Sequence, residues 1–290
     1  MKRIAIVTGA NSGIGYETAL VLAQEGIEVV LACRNEERAT KAMQKMLDIQ
    51  ADLTLTFMPL DLNSKRQIDA FVAAFKSRYD HVDILINNAG VLWGKYQLTE
   101  DGFERMFGVN YLGHFYLTQQ LLDMMPDAFS SRIVTVTSMS YRYGKIKLND
   151  LQSEKKYNKM GSYAQSKLAN LLFSMELNKR LRASGKKILS IAVHPGVVMN
   201  TNIVPNPFVR FFAKYMIGPF LSSIKQGARP TIEAALSNHI EGGALYGPIG
   251  LLEVFGKMGR SKKAAHYYDE MLATKLWDES EDLMHVSFSI

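Results

Sequence analysis

Tyr163-Ala164-Gln165-Ser166-Lys167 opens an apolar stretch that continues through Leu171 and Leu172. In a helix, residues four apart share a face, with Cβ atoms roughly 5–6 Å from one another. A free tyrosine has a pKa near about 10, too high for acid–base work at neutral pH. A nearby ammonium favours the phenolate and lowers that value, as does the positive ring of an oxidised nicotinamide. Proton transfer is most effective when the pKa lies near the working pH. Tyr163 as acid/base with Lys167 as its tuner is therefore sound chemistry. The same pair is also ordinary solvated helix surface when it stands alone, so its meaning depends on the rest of the chain.

The second group with chemistry in it is Thr8-Gly9-Ala10-Asn11-Ser12-Gly13-Ile14-Gly15, placed after an apolar run and before a helical stretch. Glycines let a backbone turn tightly and come close to a ligand. A helix N-terminus behind them offers free N–H groups and partial positive charge to a pyrophosphate. The alternative is a glycine-rich turn without a ligand. The spacing Gly-x3-Gly-x-Gly differs from the Gly-x-Gly-x-x-Gly of most dinucleotide dehydrogenases. At the end of the second apolar run stands Ala32-Cys33-Arg34-Asn35, with no acid. A carboxylate there would accept hydrogen bonds from the ribose hydroxyls of NAD. Arg34 instead offers a charge-assisted fork to a 2′-phosphate, which favours NADP(H) over NAD(H), unless it is only an exposed residue at a helix entry.

These groups need elements to hold them. Short apolar runs alternate with amphipathic stretches. Strands are expected at Ile4–Thr8, Glu28–Ala32, Leu53–Met58, Ile84–Asn87, Arg132–Thr137 and Ile188–Val193. Helices are expected at Ile14–Gln24, Glu36–Leu47, near Ser64–Arg78, around Gly102–Met125 and around Ser162–Leu181. Near-continuous Ile, Val and Leu in the strands predicts a mainly parallel sheet covered by helices on both faces. That is an α/β, doubly wound, Rossmann-type fold, whose ligands sit at the carboxyl ends of the strands. The motifs fall at those ends.

Composition narrows the function classes. The 290 residues are 47% hydrophobic and 21% charged, with no linker-like stretch and no repeat, so 1–290 reads as one domain. The net charge of +6 is scattered rather than blocked and interleaved with aromatics, which argues against nucleic acid and for a phosphate-rich small ligand. Cys33 is the only cysteine, so no intrachain disulfide forms; it reads as a small buried residue. The apolar start ends at Thr8-Gly9, too short for a signal peptide. The window from Val204 to Ile224 is broken by Arg210, Lys214 and internal prolines, so no membrane span is expected. The expected compartment is the cytoplasm. No His-Glu-x-x-His or similar cluster predicts a metal.

Taken together, the glycine loop, Asn87-Asn88-Ala89-Gly90 and Tyr163-x3-Lys167 resemble the short-chain dehydrogenase/reductase family, over about residues 3–240. Ser166-Lys167-Leu168-Ala169-Asn170, His194-Pro195-Gly196 and Leu276-Trp277-Asp278-Glu279-Ser280-Glu281 make the chain most similar to its retinol dehydrogenase-like branch. The resemblance implies further roles. Ser138 matches the serine that hydrogen-bonds the substrate oxygen, with Ser140 as a substitute. Asn110 matches the helix asparagine that anchors a water linking Lys167 to solvent. Gly9, Asn11, Ser12, Gly13, Ile14 and Gly15 match the cradle for the phosphates, with Arg34 and Asn35 beyond it. Asp61 and Leu62 match the pair bordering adenine, and Asn87, Ala89 and Gly90 the middle of the cofactor. Pro195, Gly196 and Val198 match the stretch holding the nicotinamide amide, and Lys167 also the ribose. A homodimer or homotetramer is the implied assembly.

The chain departs from the most compact pattern in two places. Tyr163 lies 25 positions after Ser138, and the added Lys145–Asn158 reads as a surface excursion near the site mouth. Ser12 stands where many NADP-preferring members carry a base. Phe208, Phe211, Phe212, Tyr215, Met216 and Phe220 make the region of about 200–225 apolar, either a cover over a pocket for a bulky apolar carbonyl or alcohol, or a packing helix or dimer contact. The expected function is NADP(H)-dependent alcohol–carbonyl interconversion. The competing reading is an NADP(H)-binding sensor or scaffold with the fold but no turnover.

Overall fold

The computed structural model describes residues 2–197, 223–250, 253 and 256–290. Eight strands form one sheet in the order β3-β2-β1-β4-β5-β6-β7-β8. They are β1 (Ile4–Thr8), β2 (Glu28–Cys33), β3 (Leu55–Pro59), β4 (Ile84–Asn87), β5 (Arg132–Val136), β6 (Leu189–Val193), β7 (Leu245–Pro248) and β8 (Met258–Arg260). Neighbours from β3 through β7 pair in parallel, and only β8 runs antiparallel, against β7. The order reverses at β1, between β2 and β4, where open α/β sheets leave a crevice.

Both faces of the sheet are covered, so β1, β4, β5 and β6 are buried along their whole length. Alternate residues point to opposite sides. Ile4 and Ile6 join a core with Phe71, Phe75, Phe115 and Leu171, whereas Ala5 and Val7 join one with Ala19, Leu22, Ala39 and Met46. The first core is closed by α3 (Lys65–Arg78), α5 (Gly113–Leu121) and α6 (Lys159–Ala183), with α4 (Arg105–Phe107) just before α5. The second is closed by α1 (Gly13–Gln24), α2 (Glu36–Ile49) and α7 (Ile224–Leu236).

Two differences from the expected elements bear on the site. The long helix around Gly102–Met125 is interrupted by a π turn, Gly108–Leu112, between α4 and α5. Asn110 sits in the middle of that turn, where its side chain bonds outside the helix. At the other end, α7, β7, β8 and α8 (Glu270–Met284) are additions to the expected elements. In α8, Trp277 is buried against Phe173 and Phe115, under the Arg180 guanidinium at 4.5 Å. Among the described residues no helix is long and apolar enough to cross a membrane. Most of the region 200–225 lies outside the described residues.

Candidate active site

A cleft of about 560 Å³ runs along the carboxyl ends of β1, β2, β4 and β5. One wall is the glycine loop. Gly9 has φ +67, and a Cβ on it would lie 3.1 Å from Ala89 Cα. Gly15 is tighter, since its Cβ would meet Gly9 O and Asn88 Nδ2 at 2.5 Å. Ser12 is the N-cap of α1, but its side chain makes no capping bond. The first N–H groups of α1 are therefore not taken up by a cap, and Gly13, Ile14 and Gly15, which carry them, line the cleft together with Asn11 and Ser12. At Gly9 and Gly15 the loop leaves no room for a side chain, whereas at Gly13 a Cβ would meet open space. Gly15→Ala is expected to lower stability by about 1–3 kcal/mol in thermal melts, since overpacking against backbone is poorly relieved. It is also expected to weaken dinucleotide binding about tenfold in a fluorescence titration.

The loop is tied to β4 by Thr8. Its Oγ1 accepts hydrogen bonds from the N–H groups of Asn88 and Ala89, both at 2.9 Å. Asn88 Nδ2 returns a bond to the Thr8 carbonyl at 2.7 Å. His114, fully buried and pushed by burial to a pKa of about 4, braces this joint through Nε2 to Thr8 Oγ1 and Nδ1 to the Asn110 carbonyl, 3.0 Å each. A neutral ring donating from Nδ1 has Nε2 free to accept from the threonine. The sequence marks Thr8 only as the end of the first strand and the start of the glycine loop, and it gives no signal at His114.

The far end of the cleft holds Arg34, Asn35, Asp61 and Leu62, joined by Arg38, which sequence reasoning missed. Arg34 is exposed, and its Nη1 lies 3.9 Å from Asp61 Oδ2. Asn35 caps α2, its Oδ1 accepting from the Arg38 N–H at 2.8 Å, which sets Arg38 one turn into the helix beside Arg34. Two guanidinium groups thus stand at the end of β2 where a carboxylate would mark NAD. Cys33 is buried under the loop, near the backbone of Gly9, Ala10 and Asn11, and burial pushes its thiol up to about 11, so it stays protonated.

At the opposite end stand Ser138, Tyr163, Lys167 and Pro195. Asn158 caps α6, accepting from the Gly161 N–H at 2.8 Å, and so begins the helix one turn before Tyr163. Tyr163 and Lys167 face the same way, with Lys167 Nζ 5.9 Å from the centre of the phenol ring. The Ser138 hydroxyl acts on the Tyr163 phenol, lowering its pKa against the larger effect of burial. Lys167 Nζ donates to the Val136 carbonyl at 3.1 Å, and burial pushes its ammonium down to about 8. The expected depression of the Tyr163 pKa is not found in the chain by itself. Burial raises the phenol, Ser138 only partly offsets this, and the ammonium is aimed at a carbonyl.

Among the described residues, Asn87, Asn110, Ser140 and Gly196 stand apart from the cleft wall. Asn87 is buried, donating to Thr118 Oγ1 at 2.9 Å, and its neighbours Ala89 and Gly90 line the cleft instead. Asn110 lies behind the wall. Its Oδ1 accepts from the Val91 N–H at 2.7 Å, and its Nδ2 donates to the Val91 carbonyl and to Ser166 Oγ. A Cβ on Gly90 would lie 3.4 Å from both Asn110 Oδ1 and Lys167 Nζ, so only a glycine separates the two side chains. Gly196, at φ +71, donates its N–H to His194 Nδ1 at 3.3 Å. Val198 lies outside the described residues. Ser140, the substitute for Ser138, donates its N–H to Ser138 Oγ at 3.3 Å, so the two serines share one turn.

Lys145–Asn158 is more than a surface excursion. Its lysines are exposed, but Leu151 and Ser153 are buried. The side-chain amide of Gln165 donates to the Leu151 carbonyl at 2.9 Å and accepts from the Lys147 N–H at 3.2 Å. Near the end of the segment, Tyr157 donates to the Trp93 carbonyl and meets Tyr96 edge-on. Trp93 and Tyr96, which Tyr157 touches, are exposed, as are Tyr143 and Met160 at either end of the segment.

A nucleotide cradle at the switch point of a parallel sheet, with Tyr, Lys and Ser converging on it, defines a dinucleotide-dependent class of enzyme fold. The family model for short chain dehydrogenases matches residues 3–207, and the chain belongs to that family. Human retinol dehydrogenase 11 is 38% identical over 97% of this chain and 86% of its own length. An uncharacterized protein from Mycobacterium paratuberculosis, solved by crystallography, superposes with a TM-score of 0.79 at 35% identity, covering 99% of this chain and 95% of that one. A variant of actinorhodin polyketide ketoreductase, solved with NADPH, gives 0.65 at 26% identity over 81% of this chain and 91% of its own.

Proposed function

We propose that this oxidoreductase interconverts an alcohol and an aldehyde or ketone with NADP(H), and that its substrate is bulky and apolar. The observation that carries the reading is the convergence of Ser138, Tyr163 and Lys167 on the cleft that begins at the glycine loop. NADP(H) is supported by Arg34 and Arg38 at the end of β2, and by the NADPH named with the polyketide ketoreductase. An apolar substrate is supported by the retinol dehydrogenases among the relatives, and by the exposed Trp93, which follows Leu92 of the cleft wall.

The cradle fits a dinucleotide: uncapped N–H groups for the phosphates, glycines where a Cβ would intrude, and guanidinium groups for a 2′-phosphate. When bound, NADPH supplies the hydride. The chain supplies the rest. In the reducing direction Tyr163 gives its phenolic proton to the carbonyl oxygen. Ser138 donates a hydrogen bond to that oxygen, where negative charge grows. Lys167, held at the Val136 carbonyl, keeps a positive charge beside the phenolate that remains. A raised phenol pKa suits this direction, because Tyr163 stays protonated until it is needed.

Consumption of NADPH with a panel of apolar aldehydes and ketones tests the reading, and tight NADPH binding with no turnover on any of them would favour a sensor. Arg34→Ala is expected to weaken NADPH about ten- to fiftyfold, the scale of one lost charge-assisted pair. NADH binding should stay within about threefold, because NADH has no phosphate there to lose. Equal losses for both cofactors in a titration would contradict the assignment.

A further inference from the structure

Beside the cleft, on the side away from the glycine loop, lies a buried polar knot. Ser138 leads into a single 3-10 turn, Met139–Tyr143, and caps it, its Oγ accepting from the Ser140 N–H at 3.3 Å. The Tyr141 N–H donates to the Ser138 carbonyl at 2.9 Å. Tyr141 is fully buried, its ring edge-on to Tyr267 at 5.1 Å. The next residue, Arg142, donates from Nη2 to Glu253 Oε2 at 2.6 Å, and the two side chains are only 13% and 9% exposed. The same carboxylate oxygen accepts from Ser261 Oγ at 2.9 Å. Arg142 Nε also reaches the Tyr141 hydroxyl at 3.4 Å.

Glu253 lies in the connection between β7 and β8, at the β8 end of the sheet, and has φ +58. That left-handed backbone disfavours a glutamate, which holds the position only if its side chain is wanted there. None of Arg142, Glu253 and Ser261 lines the cleft. They hold the turn that follows Ser138, and Ser138 does line the cleft. A 3-10 turn has about three residues per revolution, so fixing Arg142 fixes the roll of a turn whose first residue aims Ser138.

We propose that Arg142 and Glu253 are a positioning pair: their buried ion pair sets the direction of Ser138 toward Tyr163. This rests on the reading of Ser138 as the group that holds the substrate oxygen. Misplacing a reacting group by about 1 Å costs on the order of a hundredfold in rate. The test is a double-mutant cycle in the full chain, with NADPH and an apolar aldehyde that the wild type reduces. Glu253→Gln keeps the shape of the side chain and is expected to lower kcat about ten- to hundredfold. NADPH affinity should stay within about twofold, because the cradle lies across the cleft. In the Ser138→Ala background the same change should cost less than about threefold, since there is no hydroxyl left to aim.

Arg142→Met is run beside it, so that poor folding of either variant does not decide the matter. Equal losses in both backgrounds mean a structural role only and overturn the proposal. So does wild-type kcat in Glu253→Gln. Wild-type kcat in Ser138→Ala alone overturns the reading of Ser138, and the proposal with it, which separates the two failures.

Discussion

Tyr163→Phe is expected to cut the kcat for NADPH-dependent carbonyl reduction by about a thousandfold, within the range lost with a positioned acid. The variant removes one oxygen and leaves the ring. Its place in the wall beside Lys167 is kept, so NADPH affinity should stay within about twofold. Ser138 stays in place as the cap of its own turn. Stopped-flow kinetics with a separate binding titration divide the two effects. A variant retaining more than about a tenth of wild-type kcat would mean that the proton comes from elsewhere.

Lys167→Met should move activity and stability in opposite directions. Lys167 is 4% exposed, and burial lowers its ammonium from 10.5 to about 8. The sign follows from linkage. A folded pKa below the unfolded value means that the charged group costs stability below about 8, and that the cost is relieved as pH rises from about 8 towards 10.5. The shift corresponds to on the order of 3 kcal/mol at neutral pH. A methionine of similar length removes that cost, so Lys167→Met should melt higher than wild type at pH 7, with the gap closing by pH 10. Turnover should fall by about a hundredfold or more, because the phenolate then forms with no cation beside it. In the wild type, reductive kcat should decline above pH about 8 as the ammonium deprotonates. A Lys167→Met variant that is less stable at pH 7 would show that the amine is paired better than its single bond to Val136 implies.

Local rules expose much of this arrangement. The strands from β1 to β6 are legible because a doubly covered sheet writes itself as uninterrupted Ile, Val and Leu. The glycine loop and Tyr163-x3-Lys167 are legible because backbone approach and one helical turn leave fixed spacings. Arg38 escapes such rules because its role depends on the Asn35 cap that starts α2. The π turn at Gly108–Leu112 escapes them because its cause is tertiary: the Asn110 side chain bonds Val91 and Ser166 outside its own helix. His114 and Glu253 are illegible for the same reason, since His114 acts on Thr8, 106 positions away, and Glu253 on Arg142, 111 positions away. Helix α8 shows in the sequence only through a family likeness, its amphipathic face being covered by aromatics brought together from α5 and α6. The Tyr163 phenol departs from expectation because spacing shows that a lysine is near but not where its amine points.

Hydride transfer from a cofactor in this cleft to a carbonyl is tested most directly with NADPH deuterated at the transferable position. The chain is incubated with this NADPH and an apolar aldehyde, and the recovered alcohol is weighed by mass spectrometry. One deuterium bonded to the carbinol carbon, absent when Tyr163→Phe replaces the wild type, is the expected result. Alcohol formed without deuterium, or the same labelled yield from the phenylalanine variant, would contradict it.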